Sequence, residues 1–521
     1  MDIDRLTEKL RTRGYTRIDT HISWVFVGPD DVYKLKKPVD FGFLDFTTDE
    51  RRKAACDAEV ALNRRLSPDV YLGVVAVTEG ADGPEIDGDG PRVWWAVHMK
   101  TLADADRADV RLAEGRLSRA QISAIARRVA AFHDECRADE ETARFGSTEV
   151  ILQNVEENFT QTKGSLGLYL SAHEAREVEA FQRGFVAEHG ELLQARIDAG
   201  RIRDGHGDLR LEHMYLTDGG DISIIDCIEF NDRFRYADVC ADAAFAAMDL
   251  SRLGHVELSE QFLAAYARAA DDFDLYAVVD FYESYRAYVR GKIASFVAAD
   301  ATMSRAARDK AEAEARRDFR LAVAADRRSL LSPTLVAVGG IIATGKSTIA
   351  EAVSADLSAP IVDADRTRKA MLGVRPTQPV HTGAWAGAYD PSFTEKVYAE
   401  VLRRAEVVLR SGRPVIVDAS FRNRAFRQRA RELAQRCGVA FRFVECRADP
   451  EICRARLVER AKGEAVSDGR LEIFDDFVAS WQTVDELPEG EHIVVDTARP
   501  RQESVREIET VVASWPRGFN A

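Results

Sequence analysis

The sequence lacks the long apolar runs and the paired cysteines of membrane or disulfide-bonded proteins. No apolar run approaches the roughly 20 residues that span a bilayer, and the first ten residues, MDIDRLTEKL, are charged rather than signal-like. The seven cysteines are scattered and form no Cys-x-x-Cys pair, which argues against a zinc ribbon and a disulfide framework. We therefore expect a cytoplasmic protein with buried, reduced thiols and no membrane partner.

Internal repeats, low-complexity tracts and an excess of positive charge are also missing. The net charge of −15 disfavours loose binding to nucleic acid, because a polyanion is held mainly by Lys and Arg, although a local basic groove stays possible. The mix of 46% hydrophobic and 31% charged residues is that of a globular protein. At 521 residues the chain is too long for one core, and a typical ~150 residues per domain allows about three compact units.

A complete P-loop lies within residues 334–350, TLVAVGGIIATGKSTIA. An apolar, strand-like run is followed by Gly340, four spacers, Gly345, Lys346 and Ser347, and then by a helix-compatible segment. Glycines let successive backbone N–H groups turn toward phosphate, Lys346 adds charge for the outer phosphates, and Ser347 can hold Mg²⁺. The motif predicts an ATP and Mg²⁺ site. Its nucleotide-binding residues are predicted to be Gly340, Thr344, Gly345, Lys346, Ser347 and Thr348.

Strand and helix patterns alternate after the P-loop, which predicts a parallel, doubly wound sheet. A short strand is predicted over residues 359–363 and another apolar run over 414–417, and the second run ends in Asp418. An acid at that place is typical of a Walker-B position, from which it reaches Mg²⁺ through water. Ser347 and Asp418 are therefore the predicted metal residues of this domain.

This arrangement resembles the small P-loop kinases, including the gluconate kinase and zeta-toxin groups. The local pattern is similar to 5′-hydroxyl polynucleotide kinases, whose acid and arginine lie three residues apart after the second strand, as Asp365 and Arg368 do here. The resemblance implies that Asp365 orients or deprotonates the acceptor hydroxyl, and that Arg368 holds an anionic part of the acceptor or the transferring phosphoryl group. Arg456 and Arg460 would close over the nucleotide as lid arginines. Alternatively, Asp365 caps the following helix and the two later arginines lie on a solvated face.

The acceptor is indicated only in outline. Five arginines crowd the segment after Asp418, and they could bind a phosphate-bearing acceptor or a nucleic-acid end, or form an exposed basic helix. Residues 373–389, rich in Gly, Pro and Trp, have the composition of a substrate-covering loop, in which Trp385 and Tyr389 could stack on a sugar or base or pin the loop. The five arginines are Arg422, Arg424, Arg427, Arg429 and Arg431.

The N-terminal part predicts a small antiparallel sheet with one helix against it. Alternating runs over 20–27 and 31–36 predict a hairpin, a helical period covers 48–66, and two further strand patterns cover 71–78 and 93–100. Most of the chain from Ser118 to about residue 330 then follows a helical period.

Histidines and acids cluster in residues 204–232, where the helical period is interrupted. His206, Asp208 and His213 lie on a loop before a short strand, and Asp226 ends the next apolar strand in the manner of a metal-holding acid. Here the sequence resembles the aminoglycoside phosphotransferase and choline kinase branch of the protein-kinase-like fold, whose catalytic loop reads His-x-Asp-x-x-x-x-Asn. The likeness covers about residues 15 to 300.

The resemblance implies a second ATP and Mg²⁺ site in this part of the chain. Lys36, or else Lys34, is similar to the strand lysine that pairs with nucleotide phosphates, and Glu59 to its helix partner. Asp208 would accept the proton of a substrate hydroxyl and Asp226 would hold the metal. Alternatively, these two acids are ordinary turn and strand-end residues.

One position departs from that family's pattern. His213 stands where the family has the metal-binding Asn, and an imidazole is a poorer Mg²⁺ ligand than an amide oxygen. Glu229 is a candidate source of the missing oxygen. With Asp226, His213 completes the predicted metal residues of the N-terminal part.

The predicted domains are a kinase-like N-lobe over residues 1–100, a helical C-lobe over 101–330 and a P-loop kinase domain over 334–521, with the boundary at residues 330–333, LLSP. The predicted fold class is thus α+β and α/β: a two-lobed, protein-kinase-like domain joined to a P-loop NTPase. The favoured function is transfer of the ATP γ-phosphoryl group to a hydroxyl of a small molecule or sugar at the P-loop site. The alternatives are a nucleic-acid 5′-end kinase, and an N-terminal ligand sensor that regulates a C-terminal ATPase.

Overall fold

Two units make up the chain in the computed structural model, which describes residues 1–40, 42, 44–324, 331–380, 385–510 and 512. The first unit comprises Met1–Leu250 and Tyr282–Val323, and the second comprises Ser251–Phe281 and Ala324–Ala521. Residues 325–330, at the end of the predicted helical lobe and the start of its boundary, lie outside the described residues.

A six-stranded antiparallel sheet opens the first unit, in the strand order β1-β2-β3-β6-β4-β5. The β2–β3 hairpin places Val27 opposite Val32, and it confirms the predicted turn between them. The strands are β1 (Thr16–Asp19), β2 (Ser23–Val27), β3 (Asp31–Lys36), β4 (Tyr71–Gly80), β5 (Gly83–Ile86) and β6 (Arg92–Lys100).

Helices cover both faces of this sheet. The predicted helix is α2 (Asp49–Asn63), which begins where the Thr48 side chain accepts the backbone N–H of Arg51 and which packs Cys56 and Val60 on one face. The helix α1 (Ile3–Thr12) packs Leu6 and Leu10 on the opposite face, so the sheet has a second helix that the sequence pattern did not predict. Because side chains alternate along a strand, the α2 face receives every second residue of β3.

The rest of the first unit is helical, with two short antiparallel strand pairs near residues 202–238. These pairs are β7 (Ile202–Asp204) with β10 (Tyr236–Asp238), and β8 (Met214–Leu216) with β9 (Ile222–Ile224). The helices run in chain order as α3 (Ala108–Ala113), α4 (Arg119–Glu135), α5 (Glu140–Ala143), α6 (Thr148–Thr162), α7 (Ala172–Glu188), α8 (Gly190–Asp198), α9 (Asp232–Arg235) and α10 (Val239–Arg252), then α11 (Val256–Ala269) of the second unit, then α12 (Val279–Ala299) and α13 (Arg305–Ala324).

A five-stranded parallel sheet forms the centre of the second unit, in the order β12-β13-β11-β14-β15. The strands are β11 (Thr334–Gly339), β12 (Ile361–Asp363), β13 (Val415–Asp418), β14 (Ala440–Arg447) and β15 (His492–Asp496). The helices are α14 (Lys346–Leu357), α15 (Ala364–Met371), α16 (Pro391–Arg410), α17 (Arg424–Cys437), α18 (Pro450–Arg460), α19 (Phe474–Ala479) and α20 (Arg501–Glu509). This topology confirms the predicted doubly wound parallel sheet.

Residues 251–281 group with this second unit, although the sequence places them in the helical C-lobe. Their carboxylates explain the grouping: Arg413 Nε donates to Glu260 at 2.8 Å, Arg413 also binds Asp280 at 2.8 Å, and Arg404 binds Asp271 at 3.0 Å. The predicted domain limits ignored these long-range ion pairs, which a local pattern does not reveal.

Among the described helices, none is both long enough and apolar enough to cross a membrane.

Candidate active sites

The P-loop joins the end of β11 to the start of α14, and its backbone requires glycine at two positions. Gly340 has a φ of +142°, and a Cβ there would lie 2.5 Å from the carbonyl oxygen of Cys446. Gly345 precedes α14 with a φ of +85°. The Lys346 amine donates to the carbonyl of Ile341 at 2.8 Å, so it lies over its own loop.

Two acids lie side by side beyond the P-loop, at the carboxyl ends of neighbouring strands. Asp363 of β12 and Asp418 of β13 are register partners, and both are buried. Burial, and then the adjacent Asp363 carboxylate, raise the pKa of Asp418 to about 7, while Lys346 and a hydrogen bond from the Ser347 hydroxyl oppose that shift. The structure therefore brings together Ser347 and Asp418, the two predicted metal residues of this domain.

These oxygens suit Mg²⁺. A hydroxyl and a carboxylate are hard donors, and a second buried carboxylate beside them adds negative charge that a cation would balance. Within the described residues, no group of three or more His, Cys, Asp or Glu side chains is arranged to hold a metal ion. A site with few protein ligands is the usual form for Mg²⁺ that is also bound by substrate phosphates.

Asp365 does not cap the helix that carries it. The cap of α15 is Asp363, whose side chain accepts the backbone N–H groups of Asp365 and Arg366 at 2.8 and 3.0 Å. Asp365 instead lies 3.4 Å from the Tyr389 hydroxyl. Burial and the Asp363 carboxylate raise the pKa of Asp365. The capping interpretation is therefore wrong, because the residue two positions earlier already fills that role.

Arg368 is buried in the wall of the same site. Its guanidinium lies 4.4 Å from the ring centre of Tyr389, donates to the carbonyl of Ala388 and lies 3.4 Å from the Thr394 hydroxyl. Its Nε atom is buried, and none of the residues that the structure describes accepts a hydrogen bond from it.

Arg456 and Arg460 also contact the site rather than solvent alone. Arg456 donates to the Thr497 carbonyl at 2.7 Å and to the Ala343 carbonyl of the P-loop at 3.3 Å, while Arg460 donates to the Gly469 carbonyl at 2.6 Å. Burial lowers the pKa of Arg460. In this structure both arginines therefore brace the walls around the P-loop.

The five arginines after Asp418 do not form an open basic surface. Four are bound to carboxylates: Arg424 to Asp485, Arg427 to Glu486 at 2.6 Å, Arg429 to Glu395 at 2.6 Å and Arg431 to Glu491 at 2.7 Å. Arg427 is fully buried. These four charges are therefore neutralised within the unit, although Arg424 and Arg429 are 57% and 36% exposed, so the helix is partly exposed without being openly basic.

One cavity of about 260 Å³ joins these elements. Its walls include the P-loop, the carboxyl ends of β12 and β13, and parts of α15 and α18. The predicted residues that line it are Gly345, Lys346, Ser347, Thr348, Asp365, Arg368, Asp418, Arg456 and Arg460. Gly340 and Thr344 shape the loop behind it: Thr344 donates to Ile341 at 2.8 Å and accepts from Thr497 at 2.6 Å through its carbonyl.

In the first unit, two lysines of β3 both pair with Glu59, which was predicted to pair with only one of them. Lys34 lies 2.9 Å from one Glu59 oxygen and 2.7 Å from Asp226, and Lys36 lies 2.5 Å from the other Glu59 oxygen. Lys36 is fully buried and also pairs with Glu229, whereas the Lys34 side chain is 13% exposed. Lys34 is therefore better placed than Lys36 to meet a ligand.

The loop acid Asp208 is tightly bound by a neighbour. Arg210 donates to both Asp208 oxygens, at 2.9 and 2.8 Å. Burial would raise the pKa of Asp208, but Arg210 and then His213 outweigh it and lower the pKa to about 2. Asp208 is therefore ionised. It can accept a proton only if Arg210 moves away or a bound substrate raises its pKa.

His213 lies between the two acids of this site. Its Nδ1 atom is 2.9 Å from the Asp208 carbonyl, and its Nε2 atom is 3.5 Å from an Asp226 oxygen. Burial lowers the pKa of His213. One Glu229 oxygen is paired with Lys36, and Asp226 is paired with Lys34 at 2.7 Å. With both carboxylates engaged by lysines and an imidazole beside them, these donors fit Mg²⁺ poorly.

Comparisons with known proteins agree with this division. The family model described as an AAA domain matches residues 335–483. The "Uncharacterized protein Rv2004c" of Mycobacterium tuberculosis (strain ATCC 25618 / H37Rv) is 32% identical over 492 residues, which cover 94% of this chain and 93% of the relative. The chain belongs to the Rv2004c family. "Uncharacterized protein Mb2027c" of Mycobacterium bovis shows the same identity and coverage.

Two solved structures show a distant similarity to this Rv2004c-family chain. A choline/ethanolamine kinase family protein from Mesorhizobium loti is 15% identical with a TM-score of 0.36, covering 62% of this chain and 99% of that one. A gluconokinase from Sinorhizobium meliloti 1021 is 22% identical with a TM-score of 0.26, covering 36% of this chain and 94% of that one. The five-stranded parallel sheet and the family match confirm the predicted P-loop domain of the Rv2004c-family chain, and the antiparallel sheet followed by helices agrees with the predicted two-lobed N-terminal part.

Two buried acids of the Rv2004c-family protein support the loop that carries His206 and Asp208, and neither was predicted from the sequence. Asp242 accepts the backbone N–H groups of His206 and Gly207 at 2.6 and 2.9 Å, and Asp249 accepts that of Leu211 at 3.0 Å. Both lie on α10, where they interrupt the otherwise apolar sequence VCADAAFAAMDL. An acid in a buried helix was the signal that could have revealed them, since a buried charge requires partners.

Asp468 is a third acid that the sequence analysis missed, and it holds the loop over residues 373–389. It accepts the backbone N–H of Val380 at 3.1 Å and the Tyr389 hydroxyl at 3.2 Å, and it lies 3.3 Å from the buried Lys369 amine. Trp385 stacks on Phe477 with ring centres 4.9 Å apart. Residues 381–384 of the predicted substrate-covering loop lie outside the described residues.

Proposed function

We propose that the P-loop unit is an ATP-dependent phosphotransferase that moves the γ-phosphoryl group of ATP to a hydroxyl of a small molecule or sugar. The observation that carries this proposal is the position of Asp365, which lines the cavity of the P-loop lysine and is released from helix capping by Asp363. A nucleotide-binding loop alone serves many activities. A carboxylate in the same cavity is placed to orient an acceptor hydroxyl or accept its proton, and burial raises the pKa of Asp365.

Each step has a candidate residue. The P-loop N–H groups and Lys346, which would leave the Ile341 carbonyl for the nucleotide, hold the β- and γ-phosphates. Ser347 and Asp418 would hold Mg²⁺, which supplies charge neutralisation for the phosphates when bound. Asp365 accepts the proton of the acceptor hydroxyl as that oxygen bonds to the γ-phosphorus, and the bond to the bridging oxygen of ADP breaks.

A small acceptor fits better than a nucleic-acid end. Four of the five arginines that could have lined a strand-binding channel are engaged by carboxylates. The affinity of a polyanionic strand depends on free cationic side chains along its path, and these are largely neutralised here.

We further propose that the kinase-like unit holds a second nucleotide. The supporting observation is Lys34, which bridges Glu59 and Asp226 and is partly accessible, as a phosphate-binding lysine would be. Because its Mg²⁺ donors fit poorly and Arg210 restrains Asp208, a ligand-sensing role that regulates the P-loop unit is the alternative for this unit.

Calorimetric titration with AMPPNP and Mg²⁺ tests both proposals on the full chain. We expect two sites in the native protein, one in Lys346→Ala and one in Lys34→Ala. A single site that disappears in Lys346→Ala would refute the second nucleotide site and favour the sensor. Phosphotransfer is then tested with Asp365→Asn, which should retain AMPPNP binding and lose transfer to any acceptor. Transfer at the native rate in Asp365→Asn would refute the role of this acid.

A further inference from the structure

Arg422 differs from the other four arginines of its segment because it lines the cavity. Among the described residues, no carboxylate pairs with its side chain, which is half-buried and lies over Trp385 with the guanidinium carbon 3.8 Å from the ring centre. A guanidinium stacked in this way keeps its N–H edge in a fixed orientation. Arg422 therefore presents positive charge to the cavity that no described neighbour neutralises.

Arg368 supplies a second guanidinium to the same wall. It is only 4% exposed, and in the described part of the chain its Nε atom has no hydrogen-bond partner and no carboxylate lies within ion-pair distance of it. A buried cation that bonds only to a carbonyl and a hydroxyl retains donor capacity for a ligand.

The two guanidinium groups are close enough to act on common neighbours. Tyr398 lines the cavity, and although burial raises its pKa, Arg422 and Arg368 both act in the opposite direction because both are near its phenol. The Tyr398 hydroxyl lies 3.1 Å from that of Ser420, which also lines the cavity. Burial lowers the pKa of Arg422, Tyr398 opposes that shift, and the charge of Arg368 adds to it. Both guanidinium groups line one cavity, where an anion would be attracted to both.

The other cationic side chains of the cavity have different tasks. Lys346 belongs to the P-loop, while Arg456 and Arg460 bind the carbonyls of Thr497 and Gly469. Arg368 and Arg422 line the same cavity as Asp365, and Arg460 also lies near that carboxylate, whose charge acts to raise the pKa of Arg460.

We propose that Arg422 and Arg368 form an oxyanion-binding subsite, so that the acceptor carries a carboxylate, sulfate or phosphate group in addition to its reactive hydroxyl. The assignment of this anion to the acceptor rests on the proposed phosphotransfer function, and it adds the chemical class of the acceptor to that function. Guanidinium groups bind such oxyanions through paired N–H donors, whereas a neutral sugar would leave both charges unpaired. The acceptor is therefore anionic, and anion recognition is separate from the P-loop.

The test uses the full chain with its P-loop occupied by AMPPNP and Mg²⁺, and titrates it by calorimetry with sulfate, phosphate and acetate in turn. We expect at least one of these anions to bind, and the pattern among the three identifies the oxyanion. Arg422→Gln should weaken that binding by about tenfold, since a charge-assisted hydrogen bond is lost. Arg429→Gln is the matched control: it removes an arginine of the same segment that pairs with Glu395 and lies outside the cavity lining, and it should bind the anion as the native protein does.

The proposal is overturned if none of the three anions binds, or if Arg422→Gln binds them as tightly as Arg429→Gln does. Should Arg422→Gln misfold, Arg422→Lys, which keeps the charge but loses the planar fork, must still show weakened binding. Failure of the proposed phosphotransfer is recognised separately. In Lys346→Ala, whose P-loop is impaired, Arg422-dependent anion binding should persist. If the native chain does not bind AMPPNP, only the proposed nucleotide site is refuted.

Discussion

Replacement of Arg427 by Met should unfold the P-loop unit at a markedly lower temperature. The Arg427 side chain is fully buried and donates to Glu486 at 2.6 and 3.2 Å, to the Phe421 carbonyl at 2.9 Å and to the Thr483 carbonyl at 3.2 Å. Met fills much of the same volume but removes both hydrogen bonds to the Glu486 carboxylate, which is 8% exposed and whose other cationic neighbour, Arg424, lies 3.7 Å away.

The magnitude follows from that lost pairing. Removing one member of a buried ion pair costs about 3–5 kcal/mol, and Arg424, which is 57% exposed and 3.7 Å from Glu486, offsets only part of that cost. For a unit of this size the cost corresponds to a fall in Tm of roughly 6 to 20 °C. Arg429→Met is the control, since it breaks the ion pair between Arg429, which is 36% exposed, and Glu395, which is 57% exposed. Such an exposed pair contributes about 0–1 kcal/mol.

Differential scanning calorimetry of the full chain provides the measurement, with AMPPNP used to identify the transition of the P-loop unit. Adding Glu486→Leu to Arg427→Met should restore much of the lost Tm, because it removes the carboxylate that has lost its main partner. Equal Tm values for Arg427→Met and Arg429→Met would refute the inference that the buried Arg427–Glu486 pair stabilises the P-loop unit more than an exposed pair of the same helix does.

Three further predictions concern the loops of the two sites. Asp242→Asn should destabilise the kinase-like unit by about 2–4 kcal/mol in urea unfolding, because a charged acceptor of two backbone N–H groups is lost; a change below about 0.5 kcal/mol would contradict this. The pKa of Asp208, about 2 against an ordinary 3.8, adds stability above pH 4 that is lost as the pH falls through 2. Arg210→Gln should therefore cost about 2 kcal/mol at pH 7 and clearly less at pH 3, and an equal cost at both pH values would count against the pairing. Gly340→Ala should weaken AMPPNP binding by about tenfold or more in calorimetry, because its Cβ would meet the Cys446 carbonyl at 2.5 Å, and native-like binding would exclude that clash.

The fold was largely predictable because its signals are local. The P-loop glycines, the apolar runs that end in Asp363 and Asp418, and the β2–β3 hairpin each follow from neighbouring residues. The helix α1 was missed, because its small apolar stripe around Leu6 and Leu10 has meaning only once the sheet it covers is known.

The candidate sites were less predictable because charge pairing is a long-range property. The sequence shows five arginines after Asp418, yet the partner of Arg427 lies 59 residues further on and that of Arg431 lies 60 residues further on. The same limit applies to Asp468, which holds the loop near Val380 from 88 residues away. The roles of the individual site residues stay predictions until the variants described above are measured.

The segment Ser251–Phe281 affects the order in which the protein can be completed during synthesis. It leaves the ribosome before β11 to β15 are synthesised. Asp280 has no ion-pair partner in Arg413 until the ribosome has added 133 more residues. At translation rates of about 5–20 residues per second, the interval between synthesis of Asp280 and of Arg413 is roughly 7 to 27 s. Residues of the first unit can meet their partners in this interval, whereas α11 can contact residues 273–277 of its own segment but lacks β12 until residues 361–363 are made. The nascent chain therefore passes through a stage in which this segment is exposed to chaperones and proteases, and the P-loop unit closes only late in synthesis.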